Sequence, residues 1–134
     1  MPNPNNEQGL SDTTSENYED YLLWVEEGIV TNDVAFADVT DWPDYVFDED
    51  YKLNTLLELK AFIDRNGHLP TMPSAKIVEQ NGFSQVDMTK RTIKTIEELT
   101  LYTIKQKQRI TAIEKEIDAK MEYLQALLEK RKKL

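Results

Sequence analysis

From Ser84 to Leu134 the chain contains neither glycine nor proline. Because these two residues are the strongest helix breakers, the segment predicts one continuous helix, roughly 75 Å long. Ser84 is a suitable N-cap, and Asp87 stands three residues later, as in a capping box. A helix of that length cannot fold back on so small a protein, so its apolar residues need partners from other chains.

Apolar residues in this helix repeat with the heptad period of a coiled coil, which defines a stripe that we call the seam. With Ile96 at position a, Ile or Leu fills eight of the twelve a and d positions. These positions are Ile96, Leu99, Thr103, Gln106, Ile110, Ile113, Ile117, Lys120, Leu124, Leu127, Arg131 and Leu134. Isoleucine at both a and d favours three or four strands over two, so we expect a parallel homotrimer.

Several residues in or beside the seam refine this expectation. Thr103 and Gln106 form a polar stretch, which either fixes the register or is tolerated locally. Arg109 at g and the following Glu114 at e are placed to pair between parallel neighbours. The apolar e positions, Met121 and Leu128, widen the seam and also favour more than two strands.

The N-terminal part divides into two segments. Residues 1–17 are rich in Asn, Pro, Ser, Thr and Glu and predict a flexible lead. Residues 18–53 form a β-strand and aromatic loop region, with strands expected at Tyr21–Val25 and Val34–Val39. Such short strands need another chain or the helices to cover them, so we expect them to meet their counterparts in the trimer.

Residues 54–83 predict a pair of short helices before the coiled-coil helix of residues 84–134. The first begins at a capping box, Thr55 to Glu58, and ends at Gly67. The second begins at Ser74 and is expected to end at Gly82 in the same way. The expected fold class is therefore α+β, mainly α.

Acidic residues and aromatic rings are mixed in the loop between the strands and the helices. The four rings are candidates for a recognition surface or for packing at the junction with the helices. They are Trp42, Tyr45, Phe47 and Tyr51. Asp44 and Asp48–Asp50 could gather oxygen ligands for calcium, but the glycine and spacing of an EF-hand are missing, so we expect a solvated turn and no metal.

Composition excludes several functions. The net charge of −9 argues against nucleic acid or an anionic membrane as partner. Residues 1–60 hold 15 acids and 2 bases, whereas residues 61–134 hold 10 acids and 14 bases, so the halves could attract each other. The chain has no cysteine and one histidine, His68, which leaves little for catalysis or a cofactor. We therefore expect no enzyme, although His68 with a carboxylate is kept as a weak alternative.

Several residue runs resemble the C-terminal region of tail-fibre-domain proteins from Bacteroidota and their phages. The match spans about residues 20–110, and the runs follow the order and spacing of the family. They are Leu23–Thr31, Asp41–Leu53, Asn66–Pro70, Pro73–Ser74 and Ile96–Tyr102. The repetitive shaft of larger relatives has no counterpart here. The resemblance implies the terminal module of a trimeric phage or cell-surface fibre, with no catalytic residue.

Two functions follow as expectations. The first is a non-enzymatic structural protein that trimerises a fibre and positions it for attachment. It would be extracellular, on a virion or cell surface, without a signal peptide in this chain, and other fibre or surface proteins are further partners. The alternative is an adaptor or chaperone-like module that binds a protein through its acidic N-terminal half.

Overall fold

The computed structural model describes residues 21–37 and 40–134. Its elements are a 3-10 helix at Pro43–Phe47 and three α-helices, α1 at Leu56–Asn66, α2 at Ala75–Asn81 and α3 at Gln85–Lys132. The described residues are mainly helical, and they include the long C-terminal helix expected from the sequence.

The predicted strands are wrong. Residues 21–37 contain no strand, neither at Tyr21–Val25 nor in the described part of Val34–Val39, so the α+β class is corrected to helical for the described residues. Polar groups in this segment bond locally: Trp24 Nε1 donates to the Tyr21 carbonyl oxygen at 3.1 Å. Two short apolar runs are not stable as strands without further strands or a packed helix, which explains the error. The flexible lead predicted for residues 1–17 lies outside the described residues.

The ends of α1 confirm the local sequence signals. Thr55 Oγ1 accepts from the Glu58 backbone N–H at 3.2 Å, and the Thr55 N–H donates to Glu58 Oε2 at 2.8 Å. These two bonds form the predicted capping box. Gly67 follows the helix with φ 74° and ψ 9°, and its N–H donates to the Ile63 carbonyl oxygen at 2.8 Å. Glycine adopts this left-handed conformation at little cost.

The end of α2 differs from the prediction. Ser74 caps its start by accepting from the Ile77 N–H at 3.3 Å, as expected. Gly82, however, has φ 68° and ψ −163°, which lies outside the left-handed helical region. Its N–H still donates to the Val78 carbonyl oxygen at 2.8 Å. The chain therefore leaves α2 through a backbone conformation that glycine adopts readily. At the start of α3, the Ser84 hydroxyl oxygen accepts a hydrogen bond from the Asp87 N–H.

The chain divides into two units, Met1–Thr95 and Ile96–Leu134. In the described part of the first unit, Val46 is the one buried apolar side chain other than Pro43, and it is 1% exposed. The second unit consists of the later part of α3 and its last residues, and has no buried residue. Large apolar side chains thus remain largely in water in both described units, although they usually dominate a protein core. None of the described helices combines the length and apolar character needed to cross a membrane.

Candidate oligomerisation site

The apolar seam residues of the second unit are all exposed. From Ile96 to Leu127 their exposed fractions range from 43% at Leu127 to 61% at Leu99, and the terminal seam residue Leu134 is fully exposed. The other members in this range are Ile96, Ile110, Ile113, Ile117 and Leu124. Neighbours along the helix shield roughly half of each side chain, and the outward half faces solvent. An exposed apolar stripe with heptad spacing is typical of a coiled-coil surface.

The polar stretch in the seam is partly satisfied within the helix. Thr103 Oγ1 donates to the Leu99 carbonyl oxygen at 2.9 Å, whereas Gln106 is an exposed side chain. Because the Thr103 hydroxyl already has an acceptor, its burial against another helix would not leave an unsatisfied donor. This geometry is compatible with both readings of the stretch, a register-fixing layer or a locally tolerated polar patch.

Lys120 interrupts the apolar seam. Its Nζ lies 2.6 Å from Glu116 Oε1, and the two side chains are 71% and 65% exposed. This pair, four residues apart on one helix, holds the ammonium group in water beside its carboxylate. Exposed pairs of this type contribute only about 0.3–0.5 kcal/mol to helix stability. The pair therefore supplies little energy, but it shows where the Lys120 side chain lies.

In the first unit, the aromatic loop packs on the start of α3 through a cation. Lys94 Nζ lies 5.7 Å from the centre of the Tyr45 ring and 5.9 Å from that of Tyr51. The two ring centres are 6.0 Å apart, with an angle of 48° between their planes. Trp42 and Tyr51 are half-buried, whereas Tyr45 and Phe47 are 40% and 54% exposed. Tyr45 and Tyr51 thus contribute to packing, and Phe47 is the most exposed of the four rings.

Hydrogen bonds from the same stretch of α3 hold two further segments. We name Lys90, Arg91, Lys94 and Thr95 the α3 anchor. Lys90 Nζ donates to the Thr40 carbonyl oxygen. Arg91 Nη1 donates to the Thr71 carbonyl oxygen at 2.9 Å, while its Nε lies 2.5 Å from Asp87 Oδ2.

The hydroxyl of Thr95 completes the α3 anchor. It donates to the Arg91 carbonyl oxygen at 2.8 Å and lies 2.9 Å from the Thr71 hydroxyl, which must therefore be the donor between the two. The opposite charges of the two halves of the chain predicted attraction, but several partners of these cations are carbonyl oxygens and aromatic rings. Hydrogen bonds from Lys and Arg side chains to distant backbone carbonyl oxygens leave no pattern in the sequence. The α3 anchor could therefore not be predicted.

His68 has a packing environment. Its ring lies edge-on to Phe62, with centres 5.7 Å apart and planes at 81°, and its Nδ1 is 2.9 Å from the Leu69 carbonyl oxygen. Among the described residues, no three His, Asp or Glu side chains come together in a group that could hold a metal, and Asp44 and Asp48–Asp50 are exposed. In the described structure, His68 thus contributes to the packing of the first unit through its contact with Phe62.

Comparison with known proteins gives no family assignment. No protein-family model, curated protein or solved structure matches the chain. The likeness to tail-fibre-domain proteins stays a prediction based on the residue runs described above. Function is therefore inferred from the exposed seam and the α3 anchor.

Proposed function

We propose that this chain is a non-enzymatic structural and interaction protein that assembles through the seam of α3 into a parallel homotrimer. The observation that carries the proposal is the exposure of its apolar seam side chains, at 43–61% and heptad spacing over Ile96–Leu127. Apolar area that leaves water contributes about 25 cal/mol per Å². A second copy of the helix presents the same stripe at the same spacing, so self-association covers it in register.

The number and direction of strands follow from particular residues. Ile110, Ile113 and Ile117 place isoleucine at both a and d, which favours three or four strands. Arg109 at g and Glu114 at the next e carry opposite charges, which supports parallel neighbours in register. A parallel trimer satisfies both features.

Within such a trimer, the α3 anchor would tie each aromatic loop to the start of its own helix. Three exposed Phe47 side chains and three acidic loops would then be presented together. Weak contacts made by the three loops would act in parallel, so avidity would raise the overall affinity without new contacts. The resemblance to tail-fibre-domain proteins supports the terminal module of a phage or cell-surface fibre as the setting, and an extracellular location with it.

Native mass spectrometry and sedimentation of the full chain test the proposal. We expect a single species of three times the chain mass of 15.6 kDa at micromolar concentration. The trimer should persist in high salt, because salt screens ion pairs but does not weaken the burial of apolar side chains. A monomer that remains helical at those concentrations would refute the proposal.

A second function is favoured by the exposed apolar segment at residues 21–37. Leu22 and Val30 are fully exposed, and Glu26, Glu27 and Asp33 lie in the same segment. This combination suits an adaptor that binds a basic protein through apolar contacts flanked by acids. It predicts a chain that is monomeric alone and forms a stoichiometric complex with its partner, which weakens steeply as salt is added.

A further inference from the structure

After the polar stretch of Thr103 and Gln106, the seam is apolar from Ile110 to Ile117 and then meets charged residues. The strict heptad places two cations in the seam after Ile117, Lys120 at position d and Arg131 at position a. One position after Lys120 stands Met121, which is 52% exposed, and one position after Leu127 stands Leu128, which is 57% exposed. An apolar side chain of comparable exposure therefore stands beside the interruption at Lys120, and a second one stands beside Leu127.

An eleven-residue repeat describes the apolar residues after Ile117 better than a seven-residue repeat does. Each of the three isoleucines in the seam has an apolar residue eleven positions later: Ile110 is followed by Met121, Ile113 by Leu124 and Ile117 by Leu128. Heptad spacing from Ile113 instead leads to Lys120. Insertion of four residues into a heptad pattern, a stutter, produces this shift and locally unwinds the supercoil.

Helix geometry gives the same answer. At 3.6 residues per turn, Met121 and Leu128 lie about 30° and 10° from the mean direction of the apolar seam residues between Ile96 and Ile117. Lys120 and Leu127 lie about 70° and 90° from that direction. The side chains nearest the centre of the stripe are thus the apolar pair outside the strict heptad.

We propose that the seam changes register after Ile117, so that Met121, Leu124 and Leu128 pack against the other copies of this chain while Lys120 stays in solvent. The inference rests on the proposed self-association and deepens it. The partner is a second copy because the shifted stripe continues the seam of Ile110–Ile117 without a break. In addition, Arg109 and Glu114 carry opposite charges at positions that would face one another in parallel neighbours.

The position of Lys120 follows directly. Its contact with Glu116 at 2.6 Å stays available in the shifted register, since both side chains remain at the edge of the interface. In an unbroken heptad, three Lys120 ammonium groups would instead converge in one core layer, where burying like charges is strongly unfavourable. The shift removes that conflict and brings a methionine into the layer.

Four variants of the full chain separate the two registers. Met121→Lys and Leu128→Lys place a charge in the shifted seam, whereas Leu127→Lys makes the same change in the strict heptad. Lys120→Met removes the charge that the heptad would bury. Lysine and leucine have similar helix propensities, so the Leu127 and Leu128 variants are matched controls for each other. Sedimentation equilibrium measures the association constant of each chain.

We expect Met121→Lys and Leu128→Lys to weaken association by at least about tenfold, and Leu127→Lys and Lys120→Met to change it by less than about threefold. Tighter association of Lys120→Met by about tenfold, or equal losses in the Leu127 and Leu128 variants, would overturn the register change and leave self-association intact. A monomeric unsubstituted chain would overturn both this inference and the proposed function.

Discussion

Replacement of Ile110 and Ile113 by aspartate should dissociate the proposed trimer into monomers. The two side chains are 49% and 46% exposed in the single chain, so about half of each remains to be covered. Full burial of an isoleucine contributes about 1.5–3 kcal/mol, so the uncovered half corresponds to about 1 kcal/mol per side chain. A trimer contains six of these side chains and loses about 6 kcal/mol, or about four decades in association constant.

The true loss should exceed this value, because three carboxylates in each layer also lose hydration and repel one another. Sedimentation velocity over two decades of protein concentration measures the change, with circular dichroism as a check on helix content. Ala112→Asp with Ala119→Asp is the matched control, since it adds the same charge on the opposite face of α3. If the seam variant sedimented as the unsubstituted assembly, or if the control dissociated equally, α3 would not associate through the seam.

Further predictions concern the packing and the helix caps within the first unit. Lys94→Gln should lower the free energy of unfolding by about 0.5–2 kcal/mol, because it removes the cation from Tyr45 and Tyr51, and thermal unfolding monitored by circular dichroism measures the loss. Gly67→Ala should destabilise the chain by about 1 kcal/mol in denaturant unfolding, since φ is +74° although nothing lies within 4 Å of the added Cβ, and Gly67→Asn should cost less. His68→Phe should keep the mass of the assembly in native mass spectrometry and the midpoint of thermal unfolding, because the His68 ring packs edge-on to Phe62. A clear loss of thermal stability would contradict this packing role. Hydrogen bonds from the Thr55 backbone N–H, and then from its hydroxyl, hold the pKa of Glu58 below its ordinary value of 4.5. The capping box therefore stabilises the native state fully above pH 4.5. This contribution is lost as the pH falls through the lower pKa of Glu58 in the native state. Thr55→Ala removes the hydroxyl and keeps the backbone N–H, so an NMR titration should show a partial rise in the pKa of Glu58 towards 4.5. An unchanged pKa would contradict the contribution of the hydroxyl.

Local signals predicted the helices and their caps well. The Thr55 capping box, the Ser74 cap and the left-handed Gly67 each depend on residues within about one helical turn, so the sequence alone contains the necessary contacts. The long helix was predictable for a similar reason, because the absence of glycine and proline removes the common ways to end it. At Gly82 the same reasoning gave the end of α2 but the wrong ψ, since several backbone conformations satisfy a glycine.

Non-local features were harder to predict. A strand needs a partner that can be far away in the sequence, so the apolar runs near Trp24 and Phe36 indicated burial without specifying a ladder. The α3 anchor joins Lys90 to Thr40 and Arg91 to Thr71 across 50 and 20 residues, and cations reaching backbone carbonyls leave no recognisable pattern. Tyr45 and Tyr51 were identified as candidates for junction packing, but their shared cation, Lys94, was not.

The contrast between the two ends of the chain bears on function. Exposed apolar side chains in residues 21–37 lack a regular period in a backbone without strands, so they specify neither a partner nor a register. The exposed side chains of α3 have the same chemistry but stand on a regular helix, where spacing fixes which residues of a second copy can face them. If α3 associates as proposed, this periodicity would make the seam specific for a second copy of the same helix. If the assembly forms through α3 as proposed, residues 21–37 would be repeated in each copy, and a weak contact made by them would gain strength from the number of copies.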